Sequence, residues 1–330
     1  MESKDSGKNI SRRDFLKVAG LGVGALIFSP FKLRLSGMPG VSAPDLFDHS
    51  EGASELQSEV KTLVDNAQGD WHVMMADMGS GKILAENQSD APRHSASVIK
   101  VPLSMCVMSS LESKVGSYQE LQSYLTSTYL EGHTFDNLFK SMLVDSDEDA
   151  SHILTRYLTS QGIDTQKLLS SQGVKDTDVF TRSSTDGDMQ KIFKNLYDAG
   201  NSEILKYPSS HEYLLNYMDV YDPQAKMWLE TLRFKSYGLN IGNIYHKVGY
   251  VNYGDMVIAA DSGIVEMKSG PELSESRPYF VSLNGQRRKG SDCKFTEMGT
   301  ELLSFVEVFA KYLKTPESHG ENYRFRQSRF

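Results

Sequence analysis

Residues 71–76 (Trp71-His72-Val73-Met74-Met75-Ala76) are almost wholly apolar, Gly79-Ser80-Gly81 interrupts them, and Ile83-Leu84 resumes the run. Two apolar segments about a Gly-rich break predict a pair of strands joined by a tight turn. Over residues 98–235 the apolar positions recur mainly at helical spacing, as in Leu138, Met142, Ile153, Leu154, Tyr157 and Leu158. Strand signals return at residues 244–249, 256–265 and 279–283. A last periodic stretch, with Leu302, Phe305, Val306, Phe309 and Leu313, predicts an amphipathic helix. Strands at both ends with helices between them predict an α+β fold, an antiparallel sheet built from both chain ends and flanked by helices, with an all-helical insert beside it. A groove between two such units is a common place for an active site.

The front of the chain follows different rules. Residues 1–43 carry seven Lys or Arg against three acids, whereas the whole chain has a net charge of −8. Ser11-Arg12-Arg13-Asp14-Phe15-Leu16-Lys17, followed by a mild apolar run over residues 18–28, resembles a twin-arginine (Tat) signal, which exports folded proteins. The expected partner is then the Tat export machinery, and the expected location periplasmic or extracellular. Val41-Ser42-Ala43 offers a cleavage site, but Pro44 directly after it disfavours cutting, so an uncleaved membrane anchor is the alternative. Gly20-Leu21-Gly22-Val23-Gly24-Ala25 matches a dinucleotide fingerprint, but no strand leads into it and the match is discarded. The expected organisation is a signal over 1–43, a linker over 44–64 and a working domain over 65–314. Within that domain 65–93 and 236–314 form the α/β part and 94–235 the helical part; 315–330 is a polar, flexible tail.

Composition narrows the function classes. With 39% hydrophobic and 24% charged residues, the chain is neither disordered throughout nor a multi-span membrane protein. The acidic balance argues against nucleic acid as a partner. Two cysteines make neither a disulfide framework nor a four-sulfur zinc site. Cys106 reads as a buried core thiol and Cys293 as an unrelated surface one. The eight histidines show no metal-ligand spacing, so no metal or cofactor is implied. His246 adjoins a candidate site lysine, but on an alternating strand it should point the opposite way. G-x-S-x-G is absent, which argues against an α/β-hydrolase.

Candidate chemistry begins at Ser97-Val98-Ile99-Lys100, which opens the apolar stretch over 101–108. On a helix, residues three apart share a face with Cβ atoms about 5–6 Å apart. An amine at that range takes the hydroxyl proton if burial lowers its pKa, making the serine a nucleophile. Backbone N–H groups at the helix start would favour a developing oxyanion. The pattern alone is uninformative, since Ser29/Lys32, Ser58/Lys61 and Ser291/Lys294 repeat it. Only Ser97 has a buried-looking helix behind it and a strand pair before it.

Ser146-Asp147-Glu148, ahead of a helical run, and Lys247-Val248-Gly249, on a predicted strand, complete an ordered set. Together they resemble the S-x-x-K, S-D-N and K-T-G motifs of the serine β-lactamase and penicillin-binding protein superfamily, closest to class A β-lactamases. The resemblance spans about residues 65–314. It implies a β-lactamase/transpeptidase-like fold in which Ser97 attacks an amide carbonyl with Lys100 as base. Ser146 would relay a proton to the departing nitrogen beside Lys247, and the N–H groups of Ser97 and Tyr250 would form the oxyanion hole. Val248, Gly249 and Glu148 would line the substrate site of a monomer acting on a β-lactam or a peptidoglycan peptide.

Three departures bear on activity. Glu148 replaces the family's Asn, and an ionised carboxylate cannot donate a hydrogen bond. It is expected to pair with Lys100 and raise the lysine's pKa, to accept the proton itself, or to select a cationic substrate; alternatively it is one solvated acid among Asp145, Asp147 and Asp149 at a helix start. Val248 removes the Thr hydroxyl that would bind the substrate carboxylate. The segment over 173–186 is too short for the family's loop with its deacylating Glu and holds no Glu, though Asp176 or Asp178 could substitute. The resemblance thus implies an exported active-site serine hydrolase with β-lactam turnover in doubt. A D,D-peptidase-like or slow penicillin-binding protein and a non-catalytic cell-wall-binding homologue are the alternatives.

Overall fold

A computed structural model of the chain describes residues 50–200, 202–219, 228–233, 235–269, 273, 275–289 and 295–315. The expected signal over 1–43, residues 316–330 of the tail and Cys293 lie outside them.

The described chain opens with helix α1 (Ser50–Asn66), then strands β1 (Asp70–Asp77) and β2 (Ile83–Asn87). Asp77 builds the turn between the strands, its Oδ1 accepting the N–H groups of Gly79 (2.9 Å) and Ser80 (3.3 Å). Gly81 closes that turn at φ +73°, a conformation that side chains disfavour. A short strand β3 (Arg93–His94) precedes a 3₁₀ turn (Ala96–Ile99) that runs into α2 (Lys100–Glu112). The helical middle comprises α3 (Tyr118–Ser127), the small hairpin of β4 (Tyr129–Leu130) and β5 (His133–Thr134), α4 (Phe135–Leu143), α5 (Glu148–Ser160) and α6 (Thr165–Ser170). Strand β6 (Ser183–Ser184) pairs with β3, and α7 (Asp186–Tyr197) and α8 (Pro208–Met218) follow. After a 3₁₀ segment (Trp228–Arg233) come β7 (Ile241–Tyr253), β8 (Met256–Ser269), β9 (Glu275–Arg288) and α9 (Phe295–Tyr312).

The main sheet has the order β2-β1-β9-β8-β7, antiparallel throughout. Strand β1 pairs with β9 from Asp70↔Gln286 to Asp77↔Tyr279, joining the two chain ends in the middle of the sheet. The fold is thus α+β, with the sheet assembled from both ends and the helical insert beside it. Sheet strands β7, β8 and β9 outrun their apolar signals, because ladder hydrogen bonds continue through polar residues such as Asn252, Lys268 and Arg287.

Alternation explains the two cores. From β1, Trp71, Val73 and Met75 face one way and join α1, α9 and the Trp228–Arg233 segment. Met74 and Ala76 face the other way and join α2, α4, α5 and α7. Strand β9 does the same, with Tyr279, Val281 and Leu283 on the first side and Phe280 on the second. Covering both faces is why these strands read as near-continuous apolar runs. Helix α2 is apolar on all sides and buried over Val101–Met108, Cys106 included as a free thiol whose pKa burial raises to about 12.

Two boundary expectations are corrected. The expected linker over 44–64 is helical from Ser50, because Ala53, Leu56 and Val60 bury one stripe against the sheet side that carries α9. Ser, Gly and Glu on the other faces of α1 hid that stripe. The expected helical part over 94–235 also ends too late: Trp228, Leu229 and Leu232 belong to the core of the α/β half.

Candidate active site

Ser97 sits in the Ala96–Ile99 3₁₀ turn, with Lys100 as the first residue of α2. With three residues per turn, side chains at i and i+3 eclipse one another. Lys100 Nζ accordingly lies 3.2 Å from Ser97 Oγ. The turn is strained, since Ala96 adopts φ +48° although it is not glycine. Ser146 (φ +57°) and Arg182 (φ +60°) share this rare conformation, and all three surround Ser97. Strain gathered at one place is a mark of function.

Strand β7 closes the other side. It is an edge strand, and a Cβ added at Gly249 would lie 2.7 Å from the Ser97 nitrogen and 2.8 Å from Ala96 Cβ. Glycine there is a requirement of close approach. Lys247, two residues earlier, points to the same face of the strand and is buried, its Nζ donating to the Val248 carbonyl at 3.2 Å. Val248 and Tyr250 pack their side chains on the core of the other face. The valine in place of Thr therefore serves packing. His246 also points away from the Ser97 side, as alternation requires, and hydrogen-bonds Asp261 at 2.7 Å.

Helix α5 brings in the acid. Asp147 caps the helix, its Oδ1 accepting the Ala150 N–H at 2.7 Å, which leaves Glu148 free to turn inward. Lys100 Nζ donates to Glu148 Oε1 (2.6 Å) and to the Ser146 carbonyl (2.8 Å), with Ser146 Oγ at 3.4 Å. Ser97 Oγ is itself 3.5 Å from Glu148 Oε1. The reading of Glu148 as a solvated helix-start acid is thereby overturned.

Arg182 completes the cluster, and nothing in the sequence pointed to it. Its Nη1 donates to Glu148 Oε1 at 3.2 Å and its Nη2 to Oε2. Its carbonyl accepts the Ser95 N–H at 2.8 Å, tying the segment before β6 to the Ser97 turn. In that same segment Asp178 serves local shape, its Oδ1 accepting the Phe180 N–H at 2.8 Å, while the backbone N–H of Asp176 donates to the Asp188 carboxylate at 2.6 Å. Where a loop acid was sought, the chain delivers a guanidinium.

Electrostatics follow from this geometry. Lys100 is fully buried, and burial lowers its pKa; Glu148 opposes the shift and Arg182 adds to it. Glu148 pairs with Lys100 and pushes its pKa up, as expected, but loss of water outweighs the ion pair and leaves the net shift downward. For Glu148, burial acts upward, but the hydrogen bonds and charges of Arg182 and Lys100 prevail and hold it down to about 2. His94 borders the cluster, its Nδ1 accepting the Ala96 N–H at 3.0 Å, so a ring proton resides on Nε2. Burial and the Arg182 charge lower its pKa. The exposed Tyr253 ring packs at a 32° tilt against His94, with ring centroids 4.6 Å apart, forming an aromatic rim.

The arrangement holds a buried serine, an amine within proton-transfer reach, a second hydroxyl and a strand edge against the serine's own N–H. These are the parts that acyl transfer at a serine needs.

Comparison with known proteins agrees with this fold. A family model described as the beta-lactamase enzyme family matches residues 55–274, well over half of the chain. Among solved structures, the extended-spectrum beta-lactamase TLA-1 aligns at a TM-score of 0.62 and 18% identity, covering 80% of this chain and 100% of its own. The extended-spectrum beta-lactamase TLA-3 aligns at 0.61 and 18%, with 80% and 100% coverage. A beta-lactamase from Chitinophaga pinensis aligns at 0.59 and 15%, with 78% and 98% coverage. Identities this low speak for the fold alone. No protein with a curated description matches the sequence. With the family match spanning both the Ser97 turn and β7, the chain belongs to the beta-lactamase enzyme family.

Proposed function

We propose that the protein is an active-site serine hydrolase that forms an acyl-enzyme on Ser97 with β-lactams or related cell-wall amides and releases the product slowly. The observation that carries this reading is Lys100 Nζ at 3.2 Å from Ser97 Oγ, in a buried turn held against the edge of β7. Ser97 Oγ attacks the amide carbonyl, and its proton passes to Lys100. Ser146 Oγ, near the same amine, hands a proton to the departing nitrogen. The N–H groups of Ser97 and Tyr250 receive the oxyanion, while Lys247 and Gly249 border the substrate. Intact-protein mass spectrometry after incubation with benzylpenicillin is expected to show one adduct on Ser97, absent in Ser97→Ala. No adduct from any β-lactam or D-Ala-D-Ala peptide overturns the reading.

Slow release is expected because Glu148 is held by the Lys100 amine and by the Arg182 guanidinium. A chromogenic cephalosporin should give a stoichiometric burst followed by a slow steady state. That same ion cluster favours a second reading, a non-catalytic homologue in which Glu148 locks Lys100 and the groove binds peptidoglycan. On that reading Ser97→Ala leaves the biological phenotype unchanged.

Export by the Tat route is part of the proposal and rests on Arg12-Arg13 and the apolar run behind them. Replacing both arginines with lysine should retain the protein in the cytoplasm, as fractionation would read. Equal export of that variant overturns the assignment.

A further inference from the structure

We propose that Arg182 is a positioning residue that masks Glu148 as the water-activating base of deacylation, so that the acyl-enzyme on Ser97 outlives its formation. The inference rests on the acylation reading above and goes further by assigning the second half-reaction.

Among the described residues, Glu148 is the one carboxylate with an oxygen within 3.5 Å of Ser97 Oγ. A water between Glu148 and an ester on Ser97 would be within a hydrogen bond of both. The step balances. Glu148 takes a proton from water, the water oxygen attacks the ester carbonyl, and collapse of the tetrahedral adduct breaks the bond to Ser97 Oγ. The proton on Glu148 passes to that oxygen, and the product leaves as a carboxylic acid.

The obstacle is how Glu148 is already engaged. Its Oε1 receives Ser97, Lys100 and Arg182 Nη1, and its Oε2 receives Arg182 Nη2. Arg182 therefore ties up both oxygens, in the fork-to-fork geometry that holds a carboxylate ionised. The charged groups facing Glu148 are Lys100 and Arg182, with His94 beside them and Asp147 next to Lys100. A carboxylate held so far below neutral pH is a weak base, since base catalysis works best near the operating pH. Arg182 also lowers the pKa of Lys100, the base of the first half-reaction. One guanidinium thus favours acylation and hinders deacylation.

This predicts opposite effects on the two half-reactions. In Arg182→Ala, the adduct formed with benzylpenicillin should decay faster, on the order of tenfold, while acylation at pH 7 slows and its pH profile moves upward. In Glu148→Gln, the adduct lifetime should stay near that of the wild type because the masked carboxylate contributes little, and the acylation profile should move downward as Lys100 loses its anion. Adding Glu148→Gln to Arg182→Ala should abolish the faster decay. Arg182→Lys keeps the charge without the fork and should fall between wild type and Arg182→Ala. If Arg182→Ala is too unstable to purify, the sign of the Arg182→Lys effect on adduct lifetime decides the matter. An adduct lifetime unchanged or lengthened on loss of Arg182 overturns the proposal. No adduct on the wild-type protein is a different failure, one that removes the acylation reading beneath it.

Discussion

Gly249 carries no side chain because Ser97 leaves no room for one. A Cβ would meet the Ser97 backbone nitrogen at 2.7 Å, and backbone cannot step aside as a flexible side chain can. Gly249→Ala should therefore cost about 1–3 kcal/mol by overpacking, read as a lower urea midpoint. It should also displace the Ser97 N–H, so that, on the proposed mechanism, penicillin acylation falls more than the stability loss explains. The charge on Glu148 is a second residue-scale matter. Its folded pKa of about 2 lies below the ordinary 4.5 of an unfolded chain, so its stabilising contribution is present above pH 4.5. That contribution is lost as pH falls through 2. Acid titration followed by circular dichroism should show this loss, and Glu148→Gln should shrink it. Neither feature could be read from one residue and its neighbours in sequence. Ser97 and Glu148 were visible as motif members, whereas Arg182 was not, because its partner stands 34 positions away.

Elements differ in how plainly they announced themselves. Helix α2 was legible because an unbroken apolar run in a helix must be buried on all sides. The strands β1 and β2 were legible because a Gly-rich turn separates two apolar runs. Helix α1 was missed: only Ala53, Leu56 and Val60 form its buried stripe, and the residues between them are those of a loop. That stripe makes α1 part of the fold. Leu56→Ala should destabilise the protein by about 2–5 kcal/mol, measurable by thermal or urea unfolding. An unchanged midpoint would mean that α1 contributes nothing to the core. The small pairing of β3 with β6 was equally unreadable, being only two residues long, yet it brings the Arg182 segment beside the Ser97 turn.

At the scale of the whole molecule, the sheet separates two charge systems. The Lys100–Glu148–Arg182 cluster lies toward the helical half, and a buried network lies behind β7. In that network His246 Nδ1 bonds Asp261 at 2.7 Å, and its Nε2 is 3.4 Å from Glu230, which pairs with Arg233 beside Asp219. Burial opposes protonation of His246, but the charges and hydrogen bonds of Asp261 and Glu230 prevail and raise its pKa to about 9. Because the folded value exceeds the unfolded 6.5, the network's contribution is full below pH 6.5 and fades as pH rises through 9. Urea midpoints should decline across that window, and His246→Asn should flatten the decline. The sequence by itself determined the α+β architecture with a sheet built from both chain ends, and it named Ser97, Lys100, Ser146 and Lys247 as candidates through a resemblance carried by short motifs. These follow from apolar periodicity and from motifs a few residues long, which are local properties of a chain. Only the tertiary structure decided the state of the surroundings of Ser97. Residues 100, 148 and 182 arrive from separate segments, and their protonation depends on mutual distance and on the water that folding removes.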